Sequence, residues 1–597
     1  MADPIVSDPR IEKYLARNAM LQARKDPWNA HFQRLAENFL NRKADFTSSI
    51  APGDFLYKTT FDNTGEIAAM QSASVYMSML WPDSSRTFVL RPVDEFKDEP
   101  GVEEHFRYAT KQVQRYMDAP RAGLLPALQE FEIDQQVFGT AGVATLEGTD
   151  ESLPVVYEAW NIKGMRISEN AQGFVDMIFY SDPKTVRQVV EDYGLENVSV
   201  IVAGLFAAGK YEEKVEVLKV IEPRALADRQ IIDKDGVVMG AKLGAMGMPI
   251  RTLHIDVANK KIMKEAGYQE MPVAVGRAIK TIGEEYGRSN AMMAMPDVLS
   301  MNALKEAIIR ATEKQLDPPL GVLDDGRLGG GTIDTSAGAL NVFNSSGRMT
   351  GDKPVFPLFT VGELQSAEKL MVSFKENITQ AFGLDRLLDL NNSTQMTAFE
   401  TSVRNRMRGE SLGAPFARQI AEVFTPTIER TVSILYRKGL LGMRDSGLIA
   451  TLKTTWARLL GKPVHVIPKI VAAAIDAGLD VYEVEYISPA QRFMQSEKLQ
   501  GIFTAAEFFQ KMAIIPGFEP IADLVDVDAM GYDVIKYSGA PSTTGRVATE
   551  VKAIRKGRAD AQAEMAKMEQ MQKASEVARN AGSAMQSAGM GANQGGA

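Results

Sequence analysis

Three aspartates near the carboxyl end of the chain, Asp523, Asp526 and Asp528, are close enough in sequence to hold a divalent cation. A metal ion held by carboxylates could support phosphodiester hydrolysis, which is the chemistry of a metal-dependent nuclease. The segment has neither the glycine nor the closing glutamate of a calcium loop, and no catalytic lysine or histidine is paired with it. A solvated helix or turn is the favoured interpretation, and the nuclease stays as an alternative.

Phosphate-binding and nucleophilic chemistry has little support in the sequence. No G-x-x-x-x-G-K-[ST] loop occurs, and the run Gly329-Gly330-Gly331 lacks the lysine and the strand-to-helix context of a phosphate loop. The chain has no cysteine and no G-x-S-x-G motif, and its four histidines show no metal-ligand spacing. We therefore predict no catalytic residue, no cofactor and no metal ion, and expect a protein that is not an enzyme.

A polar loop followed by arginines is the pattern that best suits contact with nucleic acid. The loop residues are Asn391, Asn392, Ser393, Thr394 and Gln395. Arg404 and Arg408 follow on one face of a helix. Transient contact with phosphates is one interpretation, and pairing with Glu400, Glu410 or a neighbouring subunit is the other and favoured one.

The composition is that of a folded protein of 597 residues, long enough for two to four domains or one highly extended subunit. The net charge is −9. Because phosphate neutralisation supplies much of the affinity for DNA, this acidity argues against tight binding over the whole surface, but it allows a channel through which DNA slides. The start lacks signal-peptide features and no apolar run is long enough to span a membrane, so we expect cytosolic synthesis and no membrane contact.

The chain up to about residue 282 alternates helical and strand patterns and predicts a mixed α+β domain. Residues 9–46 recur near helical spacing, with Pro27 in the first turn of a second helix. The other predicted elements are helices at 64–81, 102–118, 121–137 and 183–193, and strands at 86–92, 138–148, 155–160, 174–180 and 214–221.

Two long helices on either side of a glycine-rich segment form the most informative pattern. Helix 296–316 follows the candidate N-cap Ser289 and ends at Asp317, because Pro318 disfavours helical geometry in the residue before it. Residues 361–382 carry apolar side chains at alternating spacings of three and four, which is a helix-packing stripe. The segment between the helices predicts a small β-containing excursion. We therefore expect an antiparallel helix pair with a compact tip.

The rest of the chain is mainly helical, and its methionines suit core packing or a soft partner surface. The predicted elements are a helix at 415–438, strands at 462–467 and 481–487 around a helix at 468–477, and helices over 488–580. Pro426 should kink the first of these helices. The Gly, Ala, Ser and Gln composition from Ala581 onward predicts a disordered tail.

The stretch from Gly283 to Pro319 resembles the head-to-tail connector, or portal, proteins of T7-like short-tailed bacteriophages. Members show Gly-Tyr, Pro, Arg and Tyr-Gly-Arg-Ser-Pro in this order, followed by a Leu-Asn helix that ends in a double proline. The counterparts here are Gly267-Tyr268, Pro272, Arg277, Tyr286-Gly287-Arg288-Ser289, Met301-Asn302-Ala303-Leu304 and Pro318-Pro319. Asn290 stands where the family commonly has proline. Further similar segments are Met396-Thr397-Ala398-Phe399-Glu400, Pro426-Thr427-Ile428-Glu429-Arg430 and Val484-Glu485-Tyr486-Ile487-Ser488-Pro489-Ala490-Gln491.

The resemblance implies a mainly α portal fold with a mixed α+β wing, assembled as a dodecameric cyclic ring around a DNA channel. Its parts would be a wing at 1–295, stem helix 1 at 296–317, a clip at 318–360, stem helix 2 at 361–383, a tunnel loop at 384–396, a second wing segment with a long kinked helix and small strands at 397–490, crown helices at 491–580 and a disordered tail at 581–597.

The resemblance also implies a conduit for packaging double-stranded DNA into a capsid and ejecting it, with force from a separate ATPase. Expected partners are terminase, tail adaptor, scaffolding, internal core and major capsid proteins, at a capsid vertex of the virion and in the host cytoplasm during assembly. The polar loop with Arg404 and Arg408 would face DNA. The clip residues expected to dock adaptor and terminase are Asp324, Asp325, Arg327 and Arg348. Another ring component of the tail is the second alternative, and the helix–excursion–helix insertion favours the portal over it.

Overall fold

The computed structural model describes residues 8–49, 51, 53, 60–81, 87–97, 99–150, 152–232, 238–324, 334–344, 355–358, 365–385, 416–444, 465–486, 499, 501–511, 526–538 and 548–591. The chain divides into two compact units, residues 1–494 and 495–597.

The first unit contains helices and strands throughout. Its helices are α1 (Pro9–Phe39), α2 (Thr64–Leu80), α3 (Val102–Met117), α4 (Leu124–Phe138), α5 (Val186–Tyr193), α6 (Val200–Ala207), α7 (Leu226–Arg229), α8 (Asn290–Leu316), α9 (Gln365–Ala381), α10 (Thr425–Arg437) and α11 (Lys469–Asp476). Its strands are β1 (Phe88–Pro92), β2 (Thr140–Asp150), β3 (Leu153–Trp160), β4 (Met165–Glu169), β5 (Val175–Thr185), β6 (Lys214–Pro223), β7 (Gln230–Ile232), β8 (Val238–Ala241), β9 (Ile250–Asp256), β10 (Lys261–Tyr268), β11 (Val273–Arg277), β12 (Leu320–Asp324), β13 (Leu340–Asn344), β14 (Val355–Pro357), β15 (Met443–Arg444), β16 (Val466–Ile467) and β17 (Tyr482–Tyr486).

An antiparallel five-stranded sheet, in the order β10-β9-β6-β5-β4, forms one part of the first unit. Its central strand β6 is apolar on both faces because both faces are covered. Val215 and Val217 pack in the cluster that contains residues of α5 and α6, whereas Leu218 and Val220 pack against residues of α1. The alternation of side chains along a strand places these two pairs on opposite faces.

A three-stranded sheet, in the order β11-β2-β3, packs with α3, α4 and α10 in the largest core cluster. The late strand β17 returns to this region and pairs antiparallel with β1, with Phe88 opposite Tyr486. Residues that are almost 400 positions apart in sequence therefore share one core. We call all of the first unit except α8, α9 and β12–β14 the α+β body.

The long helices α8 and α9, which we call the stem pair, pack against each other and are rooted in the α+β body. Val298 of α8 and Ile378 of α9 are buried in the core cluster that contains Phe39 of α1. Phe382 follows α9 and lies 5.9 Å from Phe39 between ring centroids. Strand β12 pairs parallel with β13 and antiparallel with β14, and this tip sheet lies between the two helices in sequence.

Helix α1 runs without a break from Pro9 to Phe39, so the prediction of a second helix beginning at Pro27 is wrong. An interior proline removes one helical hydrogen bond, at a cost of about 3 kcal/mol. Packing of both halves of the helix offsets that cost. Leu21 is buried before the proline, and Phe32 and Leu35 are fully buried after it. The periodicity of apolar residues gives no measure of the stabilisation from tertiary packing. It could not show that this stabilisation exceeds the cost of the proline.

The helix over residues 416–437 is irregular directly before Pro426. Residues Ile420–Phe424 form a turn of π-helix, and the Thr425 N–H donates to the Ile420 carbonyl five residues back. Proline has no N–H to continue the regular pattern, and a π-bulge is one way to pass such a position. The irregularity expected at Pro426 therefore takes the form of a wider turn on its amino-terminal side.

The second unit contains three described helices, α12 (501–511), α13 (Val527–Ser538) and α14 (Ala548–Gly591). Because α14 extends to Gly591, residues 581–591 are helical, and the predicted disorder from Ala581 is wrong over that range. The alanines and methionines there are good helix formers and outweigh the three glycines. Within the described ranges of the chain, no helix combines the length and apolar character needed to cross a bilayer.

Candidate functional site: the joint between the α+β body and the stem pair

The segment Gly283–Ser289 connects β11 to the stem helix α8, and Tyr286 anchors it. The Tyr286 side chain is buried, and its ring lies 5.8 Å from Trp28 and 6.3 Å from Phe32 between centroids. The Ile167 N–H donates to its hydroxyl at 3.4 Å. Burial raises the pKa of the Tyr286 hydroxyl. One aromatic side chain thus joins helix α1, strand β4 and the base of the stem.

Gly287 brings its backbone against the turn between α4 and β2. A Cβ at Gly287 would lie 2.5 Å from the Gly139 carbonyl oxygen, and a Cβ at Gly139 would lie 2.4 Å from that of Gly287. Gly139 also has φ +78°, in the left-handed region that glycine adopts most readily. The Gly287 N–H donates to Thr140 Oγ1 at 2.8 Å. Both glycines are therefore required by close backbone contact.

Ser289 caps helix α8 and ties it to α4. Its hydroxyl oxygen accepts from the Met292 N–H at 3.1 Å, and the hydroxyl donates to the Val137 carbonyl at 2.8 Å. Ser289 has the N-cap role expected of it, and α8 begins at Asn290, six residues before the predicted start at residue 296. Asn290, the first residue of α8, donates to Gln136 Oε1 at 2.9 Å. This bond is a second side-chain tie between the start of α8 and α4.

Arg277, at the end of β11, is a buried hub. Its Nη2 donates to Glu422 Oε1 at 2.8 Å and to the Gly173 carbonyl at 2.9 Å. Its Nη1 is ion-paired with Glu169, which also accepts from Lys280 at 2.5 Å. Because Glu169 ends β4 and Glu422 lies in the π turn, one guanidinium holds β4 and the π turn in a fixed relation.

Arg430 performs a similar role on α10. Its side chain is 2% exposed, and its Nε donates to the Thr145 carbonyl at 2.8 Å. Its Nη1 donates to the Glu270 carbonyl at 2.9 Å, and its guanidinium lies 5.0 Å from the ring centroid of Tyr268. The residues that carried the sequence resemblance in this part of the chain thus serve as joints between elements.

An open depression of about 560 Å³ lies over the joint. Its lining residues are Arg24, Pro27, Trp28, His31, Gly283, Glu284, Glu285, Tyr286 and Arg288. The charged groups are paired across it, Arg24 with Glu285 at 3.0 Å and Arg288 with Glu284 at 2.5 Å. The charged side chains that line the depression are therefore paired with one another. We interpret the depression as a structural contact region over the joint.

The sequence profile described as "Bacteriophage head to tail connecting protein" matches residues 12–453. The chain belongs to this family. It is 25% identical over 434 residues to a probable portal protein of Bordetella phage BPP-1, covering 72% of this chain and 75% of that protein. It is 23% identical over 450 residues to the portal protein of Salmonella phage epsilon15, covering 73% and 76%.

Among solved structures, the chain matches one titled as the neck of an empty GTA particle, with 12% identity and a TM-score of 0.30. The match covers 69% of this chain and 95% of the other, and its TM-score is too low to bear on the architecture. The family membership rests on the sequence profile, which spans the joint, the stem pair and the tip sheet.

The side chains that the sequence predicted for DNA contact and docking lie outside the residues that the structure describes. They are Asn391, Asn392, Ser393, Thr394, Gln395, Arg404, Arg408, Asp325, Arg327 and Arg348. Only the backbone of Asp324 is described, at the end of β12, where it pairs with Asn344. These assignments stay predictions.

The aspartates considered for a cation site have structural partners where they are described. Asp526 Oδ1 accepts from the backbone N–H groups of Asp528 and Ala529, at the start of α13. The Asp528 carboxylate is paired with Arg555 at 2.5 Å. Asp523 lies outside the described residues, and over the part of the chain that is described no group of three metal-ligating side chains comes together. The nuclease alternative gains no support.

Sequence reasoning missed two buried polar groupings. His105 and His465 are bonded through Nδ1 and Nε2 at 2.9 Å, and His105 Nε2 is bonded to the Tyr436 hydroxyl at 2.7 Å. Burial lowers the pKa of His105 to about 4. Glu132 of α4 is fully buried, accepts from Gln419 Nε2 at 3.1 Å, and has its pKa raised by burial to about 8. Neither grouping has a local signal, because the partners are hundreds of residues apart.

Proposed function

We propose that this chain is the portal subunit of a short-tailed bacteriophage. Twelve copies form a ring, and its axial channel carries double-stranded DNA into the capsid during packaging and out of it during ejection. The profile match over residues 12–453 and the likeness to two phage portal proteins support this assignment. In this assignment the α+β body is the wing, the stem pair is the stem, the tip sheet is the clip and the second unit is the crown.

The observation in the structure that carries the proposal is the apolar surface left uncovered along the stem pair. Leu299, Ile309 and Leu316 of α8 are 50%, 43% and 82% exposed, and Leu370 and Val372 of α9 are 52% and 57% exposed. Burial of such side chains contributes roughly 25 cal/mol per Å² of apolar area. A ring built on head-to-tail interfaces places a neighbouring copy on both sides of every subunit and would cover these surfaces.

A groove along α8 fits the same arrangement. A shallow depression of about 410 Å³ is lined by Ala303, Glu306, Ala307, Arg310, Ala311 and Lys314. Small side chains at spacings of four let another helix approach closely, and Arg310 and Glu306 at its edge are already paired at 2.5 Å. A neighbouring stem is the occupant that this groove suits.

The channel would touch DNA without holding it. The net charge of −9 disfavours tight phosphate binding, and the polar side chains 391–395 with Arg404 and Arg408 would supply weak, repeated contacts around the lumen. Force comes from a separate ATPase, since the chain has no phosphate-binding loop motif, and the subunit acts as a structural conduit.

The partners in this proposal follow from the position of the ring. Terminase during packaging and the tail adaptor afterwards would dock at the clip, through Asp324, Asp325, Arg327 and Arg348. Scaffolding, internal core and major capsid proteins would contact the rest of the ring. The protein would be at a capsid vertex of the virion, at the junction of head and tail, and in the host cytoplasm before assembly.

Electron microscopy of the purified full chain in negative stain tests the proposal. We expect rings with an axial hole, and a mass of about 0.8 MDa by light scattering for twelve copies of the 65.4 kDa chain. A protein that stays monomeric over a range of concentration, salt and pH would contradict it, as would a solid particle with no opening on its symmetry axis.

A further inference from the structure

Two histidines that are 360 residues apart meet where α3, α10 and β16 come together. His105 of α3 is fully buried, and His465, which directly precedes β16, is half-buried. Their rings are nearly coplanar, with an interplanar angle of 11° and 5.1 Å between centroids. His105 Nδ1 lies 2.9 Å from His465 Nε2, which is a hydrogen-bond distance. We call these two residues the histidine pair.

Neighbouring side chains hold both rings of the pair in place. His105 Nε2 lies 2.7 Å from the Tyr436 hydroxyl on α10. The Tyr108 ring lies 4.3 Å from the His465 ring between centroids, and the two rings are stacked. Both nitrogens of His105 are therefore engaged, one with α10 and one with the residue before β16.

The titratable groups around the pair come from three elements, and they are Glu104 and Tyr108 on α3, Tyr436 on α10 and Tyr482 on β17. Burial lowers the pKa of His105 to about 4, and His465 is the second cause of that shift. Burial also lowers the pKa of His465, whereas the Glu104 carboxylate acts in the opposite direction. The first proton that the pair takes up is therefore placed on His465.

The bond between the rings tolerates one added proton and not two. A hydrogen bond between two imidazoles needs an N–H donor on one ring and a lone-pair acceptor on the other. When His465 alone is protonated, its Nε2–H donates to His105 Nδ1. When His105 is protonated as well, two N–H groups and two positive charges face each other, so the bond is lost.

The strand pair next to the histidines is short. β16 pairs parallel with β15 through Met443 opposite Val466 and Arg444 opposite Ile467. The Met443 N–H donates to the His465 carbonyl at 2.9 Å. Ile467 is buried in the largest core cluster. Loss of the bond between the histidines should therefore loosen the β15–β16 pair from the His465 side and leave the core packing of Ile467 in place.

We propose that the histidine pair is an acid-sensitive fastening between β16 and α3, closed while at most one imidazole is protonated and open when both are. In the open state the histidines titrate near the ordinary value of about 6.5. Below that pH the open state binds more protons than the closed state. The opened fraction is therefore lowest above pH 6.5, and it rises toward pH 4 by up to about tenfold per pH unit for each proton taken up.

Hydrogen exchange of the purified full-length protein, read by mass spectrometry, tests this proposal. The reporter is the peptide that contains Met443, and the internal reference is the β1–β17 pair in the same core. After correction for the intrinsic exchange rate at each pH, we expect the opened fraction at Met443 to increase at least about tenfold from pH 6.5 to pH 4.5. The reference pair should change much less.

The test variant is His465→Gln, whose side chain can still donate to His105 Nδ1 but does not titrate. We expect the increase at Met443 over the same pH range to fall below about threefold, since the paired titration is gone. The matched control is His254→Gln on β9. His254 Nδ1 is bonded to the Tyr193 hydroxyl at 2.8 Å, and burial lowers its pKa to about 3. This control removes a similar histidine elsewhere and should leave the increase at Met443 unchanged.

An increase at Met443 that is the same in the parent and in His465→Gln would overturn the proposal. An increase that the β1–β17 pair matches would overturn it as well, because the opening would then not be local. If His465→Gln does not fold, the comparison of Met443 with the β1–β17 pair in the parent decides the question by itself. The portal assignment does not depend on the outcome, since it is tested by the formation of rings.

Discussion

At the scale of single residues, buried charges hold the joint together. Arg277 is 2% exposed and spans two carboxylates that come from the β4 end and from the π turn. Removing one partner of a buried ion pair leaves the other charge desolvated and unpaired, which commonly costs about 3–5 kcal/mol. The destabilisation expected from removing Arg277 therefore comes mainly from the Glu169 and Glu422 carboxylates, which would lose this cation as a partner.

We expect Arg277→Ala to lower the free energy of unfolding of the unassembled subunit by about 3–5 kcal/mol. Arg277→Lys should recover only part of it, because one ammonium cannot fork between Glu169 and Glu422. Urea unfolding followed by circular dichroism measures both. The control is Arg288→Ala, which removes an exposed pair with Glu284 and should cost less than about 1 kcal/mol. Equal effects at the two arginines would refute the role given to Arg277.

Glu132 makes the free energy of unfolding decrease as the pH rises, which is opposite to the usual effect of a carboxyl group. Its folded-state pKa is raised to about 8 by burial, whereas the unfolded chain ionises near the ordinary value of about 4.3. Between these values the folded state binds the extra proton. This carboxyl therefore contributes no penalty at acid pH, and it lowers stability progressively as pH rises through 5, 6 and 7 up to about 8.

Glu132→Gln should remove that contribution, since glutamine keeps the acceptor for Gln419 and carries no proton to lose. We expect the melting temperature of the variant to equal that of the parent near pH 4.5 and to exceed it by a growing margin toward pH 8.5. The control Glu158→Gln changes an exposed carboxylate on β3 and should leave the profile unchanged. A difference in melting temperature between Glu132→Gln and the parent that stays the same at every pH in this range would contradict the buried neutral state.

At the scale of elements, the stem is set by contacts at its base. Ser289 starts α8 and also bonds to α4, and Gly287 seats the preceding turn against Gly139. Because these contacts lie at one end of a long helix, a small rotation of the turn would produce a larger displacement at the other end of α8. The conformation of a few connecting residues therefore governs where the stem points.

Gly287→Ala should destabilise the subunit by about 1–3 kcal/mol, because the added methyl would meet the Gly139 carbonyl and Arg277 and force the turn to move. Gly204→Ala, in α6, is the matched control. Its new Cβ has no neighbour within 4 Å, and replacing glycine in a helix should raise stability by about 0.5–1 kcal/mol. Thermal unfolding of the two variants gives the comparison, and a neutral Gly287→Ala would show that the turn can yield.

At the scale of the whole molecule, the stem pair carries the surface that a neighbouring copy would cover in the proposed ring. Exposed apolar side chains follow both stem helices, and the groove of alanines on α8 has no occupant in the described part of the chain. Surfaces of this kind are usual at protein–protein interfaces. Substitutions there should change assembly and leave the fold of the subunit intact.

We expect Ala307→Glu to shift the chain from rings to smaller species in light scattering, because the longer charged side chain fills the groove and would be buried against the neighbour. The melting temperature of the unassembled subunit should stay the same, since Ala307 is exposed there. Ala307→Ser keeps a small side chain and should assemble normally. Rings of unchanged yield from Ala307→Glu would exclude this face of α8 from the interface.

Features that depend on a few neighbouring residues could be predicted from the amino-acid sequence. The cap at Ser289, the end of α8 before Pro318, the irregularity at Pro426 and the alternation in β6 all depend on local bonds and periodicity. The order of the motifs also led to the correct family. The side chains predicted for the tunnel loop and clip stay predictions.

Contacts between residues that are far apart in the chain became known from the folded structure. It joined β1 to β17, placed Glu169 and Glu422 on Arg277, brought His105 to His465 and carried α1 through Pro27. A sequence window cannot contain these pairs, because their free energy arises from burial and desolvation that exist only once the chain has folded.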